Sequence, residues 1–290
     1  RIAKNKKLPY RRFQIGPVFR DEPVQGNRLR QFTQCDIDTI GSTIKDEAEI
    51  LAITKEILNA LKIKFQIYVN NRKLINEILD ELKIKKKEDT IKEIDKLDKL
   101  PEKEVRDNLK KLNAEEVLEI FKEPESFFKK YKYYSEIEEL KKYCRIFGVD
   151  VIFSPSLARG LGYYNGSVFE VKSAIKETIC GGGSYLVNGI PSTGISFGIE
   201  RLELVTKIII DIDKILVVSL NQDEKAIQLA QKLRKSGKNV TLFYGKPSKA
   251  LEYANAYGIK KVIFVGEKEV KKKIFKVKIM KTGKQRILKI

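Results

Sequence analysis

The chain of 290 residues contains no histidine. That absence excludes a Ser-His-Asp triad, an imidazole general base and any histidine metal ligand. Cysteine is scarce. Cys35, Cys144 and Cys180 are odd in number, far apart and without C-x-x-C spacing, which argues against a disulfide framework or a zinc site and reads as reduced thiols. No apolar run approaches the roughly 20 residues that cross a bilayer. At the start, Arg1, Lys4, Lys6 and Lys7 are followed by Tyr10, Arg11 and Arg12, where a secretory signal would place an apolar segment. These absences point to a cytoplasmic protein without a membrane partner. The chemistry left to it must use arginine, carboxylates, tyrosine or a metal.

What is present is charge. Lys and Arg number 58 against 39 Asp and Glu, a net charge of +19. Such an excess favours polyanionic partners such as nucleic acid or phosphorylated substrates, with solvated lysine-rich faces as the bland alternative. The length suits about two ordinary domains and ample core.

The sequence changes character along its length. Two alternating apolar runs, Phe13 to Phe19 and Phe32 to Ile40, flank a charged loop carrying Asp21, Glu22, Gly26, Asn27, Arg28 and Arg30, the pattern of a hairpin with a long loop. Ser42 precedes a helical run through Ile44, Ala48, Leu51 and Ile57, and residues 65 to 70 alternate like a strand before a helix through Leu74, Ile78 and Leu82. Residues 80 to 148 are Lys/Glu-rich and nearly free of glycine. Asn113 with Glu116 and Ser135 with Glu138 have capping-box spacing, which predicts several short helices, the last stopped at Gly148. Strand patterns return from 149, with Gly181, Gly182 and Gly183 in a row and a strand-to-helix break at Gly198. From 213 onward, strands and helices alternate as β-α-β-α-β and close on a hairpin, predicting a mostly parallel sheet. The first strand-to-helix turn there, Ser219 to Asp223, has no Gly-rich phosphate loop, which disfavours a Rossmann cofactor site.

An arginine ending one strand and an aromatic opening the next can hold a nucleotide between a phosphate contact and a stacking face; here they are Arg20 and Phe32. The stretch from Gly16 to Gly41, GPVFRDEPVQGNRLRQFTQCDIDTIG, resembles motif 2 of class II aminoacyl-tRNA synthetases, and QCDIDTIG resembles the histidyl branch. LARGLGYYNGSVFE at 157 to 170 and GISFGIERL at 194 to 202 continue the resemblance in the histidyl order, the last being similar to motif 3.

The resemblance implies an α+β class II catalytic core, an antiparallel sheet with helices, interrupted by a helical insertion. An α/β anticodon-binding domain with a mostly parallel mixed sheet would follow. The boundaries it implies are 1–79 and 149–210 for the core, 80–148 for the insertion and 211–290 for the anticodon domain. It further implies an ATP-dependent ligase that makes histidyl-adenylate and transfers histidine to tRNA(His), with ATP as substrate, Mg²⁺, and a homodimer. By the same resemblance Arg20 contacts the α-phosphate, Glu22 lies near the adenine amino group, Arg28 contributes to ATP binding and Phe32 stacks on the ring. Arg201 covers the other face and reaches the γ-phosphate, while Arg159 sits at the reacting phosphate. Gln34, Asp38, Arg159, Tyr163, Tyr164 and Tyr185 would surround histidine. The metal ligands are not legible. Two positions depart from the family pattern: Gly162 where an Asp is usual, and Ser184 where an Arg is usual. The family also carries motif 1 ahead of motif 2, so the expectation is an N-terminally incomplete synthetase. A second reading stays open, a non-catalytic histidyl-synthetase-like regulatory module that binds tRNA.

Overall fold

The computed structural model describes residues 6–21, 24, 29–98, 100–159, 162–208 and 213–288. The chain divides near residue 208 into two compact units.

The first unit is built on a seven-stranded sheet. Its strands are β1 (Tyr10–Phe19), β2 (Gln31–Ile40), β3 (Gln66–Asn71), β4 (Ile152–Phe153), β5 (Ser167–Lys172), β6 (Cys180–Val187) and β7 (Ile190–Gly198), in the order β1-β2-β7-β6-β5-β3-β4. Every pair is antiparallel except β3 with β4. Because side chains alternate along a strand, the register sorts them into two faces. Cys35, Phe197 and Cys180 are cross-strand neighbours on one face; Asp36, Ser196, Gly181 and Glu170 form a row on the other. The apolar face is covered by α1 (Ile44–Ala60) and α6 (Tyr134–Ile146), with Ile50, Leu51, Leu58, Leu140, Cys144, Phe169 and Phe197 at its core. The opposite, polar face is where the motif residues gather.

Helix α1 is capped at Thr43, one residue beyond Ser42. Asp46 turns back to accept from the Thr43 amide and hydroxyl, each at 2.8 Å. Between β3 and β4 lie α2 (Arg72–Glu81), α3 (Lys87–Ile94), α4 (Glu102–Lys110), α5 (Val117–Ile120) and α6, with short 3₁₀ helices at Asp95–Asp98 and Glu125–Lys130. Leu74, Ile78, Ile91, Val105, Leu109, Phe128 and Ile137 form their shared core, so α2 packs with these helices although it follows directly on β3. Helix α6 has a foot in both cores: Ile137 lies in this one, Leu140 and Cys144 in the one beneath the sheet.

The helices form where periodicity predicts them, but the two capping boxes do not. Asn113 has φ +52° and ends a turn, and α5 starts only at Val117. Ser135 lies inside α6 and donates to the Lys132 carbonyl at 2.7 Å. The amides of Lys132 and Tyr133 are instead satisfied by Glu77 of α2, at 2.9 and 3.0 Å. A carboxylate from a packed neighbour has taken the role that a local side chain was expected to fill.

The second unit contains β8 (Lys214–Ser219), α8 (Asp223–Lys235), β9 (Asn239–Tyr244), α9 (Pro247–Ala256), β10 (Lys261–Val265), α10 (Glu267–Lys272), β11 (Lys276–Ile279) and β12 (Gln285–Ile287). The sheet order is β12-β11-β10-β8-β9, parallel between β9, β8 and β10 and antiparallel beyond. Leu216, Val217 and Val218 are wholly buried, as a central parallel strand requires. The short helix α10 was not apparent from the sequence. Among the described residues no helix is long and apolar enough to cross a membrane.

Candidate active site

Glycines open the first sheet, Gly181 and Gly194 on its polar face and Gly182 on the other. A Cβ on Gly181 would lie 1.9 Å from Arg159 Nη1, one on Gly182 would lie 2.0 Å from the Gly194 carbonyl, and one on Gly194 would lie 2.2 Å from Asp38 Oδ1. Gly181 is therefore the floor of a socket for the Arg159 guanidinium, and Gly194 makes room for the Asp38 carboxylate. Gly182 lets neighbouring backbones close up. Arg159 holds φ +37°, a left-handed backbone that a non-glycine residue keeps only when its surroundings enforce it. Its Nη1 donates to Glu170 Oε1 at 3.1 Å, and its Nε is buried without a hydrogen-bond partner among the described residues. A partly buried cation with a spare donor suits an anionic substrate. Burial raises the Glu170 carboxyl above its ordinary value, against the pull of Arg159.

Glu170 also joins Arg159 to Arg201. Thr178 donates its hydroxyl to Glu170 Oε2 at 3.1 Å, and the Thr178 carbonyl accepts from Arg201 Nη1 at 2.6 Å. The neighbouring Glu200 accepts the Thr33 amide at 2.7 Å, tying the start of α7 (Ile199–Val205) to the residue after Phe32. Burial opposes ionisation of Glu200, yet that backbone hydrogen bond holds its carboxyl below the usual range. Arg20 donates through Nε to the Leu29 carbonyl at 2.8 Å, and its guanidinium lies 4.3 Å from the centre of the Phe32 ring. The end of β1 and the starts of β2 and α7 thus bring Arg20, Phe32 and Arg201 to one side of the sheet.

Along the same face Asp38 meets the tyrosines. Tyr185 donates its hydroxyl to Asp38 Oδ1 at 2.5 Å, and Arg12 Nε stands 3.7 Å from Oδ2. Burial pushes the Asp38 carboxyl up, while Tyr185 and Arg12 pull it back. Burial also keeps the Tyr164 and Tyr185 hydroxyls protonated. The rings of Tyr163 and Tyr164 lie 4.4 Å apart and those of Tyr163 and Tyr185 6.0 Å apart. Tyr164 is buried whereas Tyr163 is 57% exposed and reaches the cluster from the loop. The result is a polar aromatic cage with an acceptor at Asp38 and hydroxyls at Tyr164 and Tyr185.

Gln34 stands apart from this cage. Its amide donates to Asp36 Oδ1 at 2.6 Å and to Ser196 Oγ at 3.0 Å. Glu22 and Arg28 lie outside the described residues. Ser184 donates to Oε1 of the buried Glu47 at 2.5 Å, so at this position a hydroxyl, not a cation, meets the carboxyl, and burial raises that carboxyl. A Cβ at Gly162 would lie 3.7 Å from Glu88 Oε2, where an acidic side chain would meet like charge.

Several members of this constellation had no role assigned from sequence. Glu170 and Thr178 support Arg159 and Arg201, Glu200 reaches from α7 to the Thr33 amide, and Asp36 accepts from Gln34 in its own strand and from Ser196 of β7. A signal existed for Glu170, since an acid among Val168, Phe169 and Val171 in a buried strand demands a partner.

The family model described as "Histidyl-tRNA synthetase" matches residues 1–202, and one described as "Anticodon binding domain" matches residues 214–290. The histidine–tRNA ligase of Clostridium acetobutylicum is 33% identical over 98% of this chain and 76% of its own length. That of Helicobacter pylori is 32% identical over 96% and 74%. Among solved structures, a histidyl-tRNA synthetase from Nostoc sp. PCC 7120 superposes with a TM-score of 0.78 at 26% identity, covering 99% of this chain and 77% of that one. The two matched segments follow the two structural units, and the chain belongs to the histidyl-tRNA synthetase family.

Proposed function

We propose that this chain is a histidine–tRNA ligase that activates histidine with ATP and transfers it to the 3′ end of tRNA(His). A carboxylate oxygen of histidine attacks the α-phosphorus, pyrophosphate leaves and histidyl-adenylate forms. A hydroxyl of the terminal tRNA ribose then takes the histidyl group and AMP leaves. Neither step requires an imidazole base. Each concentrates negative charge on phosphate, which preorganised guanidinium groups can neutralise.

The carrying observation is Arg159, partly buried in its Gly181 socket with a spare Nε and linked through Glu170 and Thr178 to Arg201. In this reading Arg159 acts at the reacting phosphate, Arg20 at the α-phosphate and Arg201 at the γ-phosphate, while Phe32 offers its face to adenine. Arg20 and the Phe32 ring are in contact, so ATP would engage a phosphate and a base with one preassembled pair. Glu22 and Arg28 complete the nucleotide contacts. Asp38, held by the Tyr185 hydroxyl, accepts an imidazole N–H, Tyr164 bonds the ring's other polar edge and Tyr163 closes the pocket, with Gln34 at its margin beside Asp36 and Ser196. Such a pocket rejects apolar analogues by about 10,000-fold, because their binding would leave these groups unpaired.

Among the described residues no group of three or more Asp, Glu, Cys or His could cage a metal. Mg²⁺ would therefore arrive with ATP, held chiefly by phosphates and water. The domain assignment follows the motifs: catalytic core in 1–79 and 149–210, helical insertion in 80–148 and anticodon binding in 211–290. Ten Lys/Arg against Glu269 between Lys268 and Ile290 support a phosphate-tracking surface for tRNA there. A homodimer is supported by the apolar strip on the edge strand β1, where Phe13, Ile15 and Phe19 are 74%, 62% and 70% exposed. Three free thiols fit the cytoplasm.

The test is ATP–pyrophosphate exchange with each of the twenty amino acids, using the product of the complete reading frame. Histidine alone should support exchange, and Arg159→Ala should lower it by about 100- to 1000-fold. No exchange with any amino acid, alongside salt-sensitive tRNA binding, would replace this reading with that of a non-catalytic sensor.

A further inference from the structure

The loop that presents Arg159 is held from beneath by two buried side chains that the motifs do not contain. Asn70, 1% exposed, donates through Nδ2 to the carbonyls of Pro155 at 2.9 Å and Leu157 at 3.0 Å. Arg72, 3% exposed, directs Nη1 at the carbonyls of Ala158 at 3.4 Å and Arg159 at 3.5 Å. Its own amide donates to the Gly166 carbonyl at 2.7 Å, where the loop re-enters the sheet. The two side chains thus reach four carbonyls of the segment 155–159 and end on the residue with the left-handed backbone.

The other edge of the Arg72 guanidinium faces the helices. Nη2 donates to Glu88 Oε2 on α3 at 2.8 Å, and Arg72 opens α2, whose Leu74 and Ile75 share a core with Ala158. A fully buried guanidinium is costly to place unless its charge is met. Here Glu88, an otherwise exposed carboxylate of the helical segment, meets it. A lysine could not reach both sides at once, because its three donors share one nitrogen, whereas the planar fork turns Nη1 toward the carbonyls and Nη2 toward the carboxylate.

We propose that Arg72 is a positioning residue for the activation step: held by Glu88, it fixes the backbone of Arg159 and so aims that guanidinium at its phosphate. The proposal rests on the functional reading above for the role of Arg159. It also makes the helical segment part of the catalytic apparatus, since a displacement of α3 pulls on Glu88, then Arg72, then the Arg159 carbonyl. Movement of about 1 Å at a reacting group typically costs on the order of 100-fold in rate.

The experiment is a mutant cycle read by histidine-dependent ATP–pyrophosphate exchange. Arg72→Met should lower kcat by about 10- to 100-fold, and Glu88→Gln by about 3- to 10-fold, with KM for ATP changed less than about twofold. Arg72→Lys should recover only part of the loss. In the Arg159→Ala background both losses should vanish, because a residue acting through Arg159 has nothing left to position. Losses of equal size in that background, or unchanged kcat in both single variants, would overturn the proposal. Glu88 is exposed at the surface, so Glu88→Gln guards against reading a folding defect as a catalytic one. Amide exchange over residues 154–159 gives an arm independent of activity, and should accelerate in both variants. Unchanged protection there overturns the strut, even if the unaltered protein showed no exchange with histidine and the functional reading itself fell.

Discussion

Gly181→Ala separates the socket from the scaffold. Gly181 sits in β6 with its missing side chain pointing to the polar face, where the added methyl would lie 1.9 Å from Arg159 Nη1 and 2.7 Å from Cζ. To reach ordinary contact the guanidinium must retreat by roughly 1.5–2 Å. The obstacle is the far end of a flexible side chain, so the fold can yield cheaply. Alanine also restricts the unfolded chain, a gain of about 0.4–1 kcal/mol that offsets part of any strain. The retreat stretches the 3.1 Å bond to Glu170 and takes the spare Nε away from its place. A displacement of this size predicts a fall of about 100-fold in kcat for histidine-dependent exchange, near the lower bound for losing the charge outright. Gly182→Ala is the contrast. Its methyl meets the Gly194 carbonyl at 2.0 Å and the Ile195 Cα at 2.7 Å, both backbone, so β6 and β7 must part and stability should fall by about 2–4 kcal/mol. Thermal melting and pyrophosphate exchange on both variants decide the matter. Gly181→Ala with kcat within about threefold of the parent, or as unstable as Gly182→Ala, would refute the socket.

Other perturbations address the remaining groups. Tyr185→Phe removes the 2.5 Å donor to Asp38, and should raise KM for histidine by about 10-fold while leaving KM for ATP unchanged in steady-state exchange. Phe32→Ala should do the reverse, raising KM for ATP by about 5- to 10-fold with histidine unaffected, since stacking contributes on the order of 1 kcal/mol. Glu47→Gln should stabilise the fold at pH 7.5 by about 1–2 kcal/mol, because burial raises the Glu47 carboxyl and the folded state resists its ionisation. The sign follows from that direction. With the folded value above the unfolded one, Glu47 costs stability as pH rises from the unfolded toward the folded value, so the gain from Gln should shrink toward pH 4. Denaturant melts across that range read it, and a gain that grew on acidification would contradict it.

Much of this architecture is legible because short-range periodicity carries it. Period-two alternation through Gln34, Asp36 and Asp38 puts three polar groups on one face and Cys35 and Ile37 on the other, whatever the strand's neighbours are. The α/β block beyond residue 213 is equally plain, because its central strands are continuous apolar runs and its helices are amphipathic. Capping was less legible. Spacing marked Ser135 and Glu138, but the amides at the start of α6 are satisfied by Glu77, 55 residues away in sequence from Lys132.

The sequence by itself determined the order of elements, the side of the sheet each polar residue takes and the permanently charged groups available for phosphate. Those depend on residue type and local repeat, which a single chain displays. Only the tertiary structure decided that Arg159 lies over Gly181, that Glu170 and Thr178 join it to Arg201, and that Asn70 and Arg72 hold its loop. Those contacts link residues up to 87 positions apart, as between Asn70 and Leu157 or Arg72 and Arg159. They depend on strand order and register, and no local pattern encodes which strand comes to lie beside which.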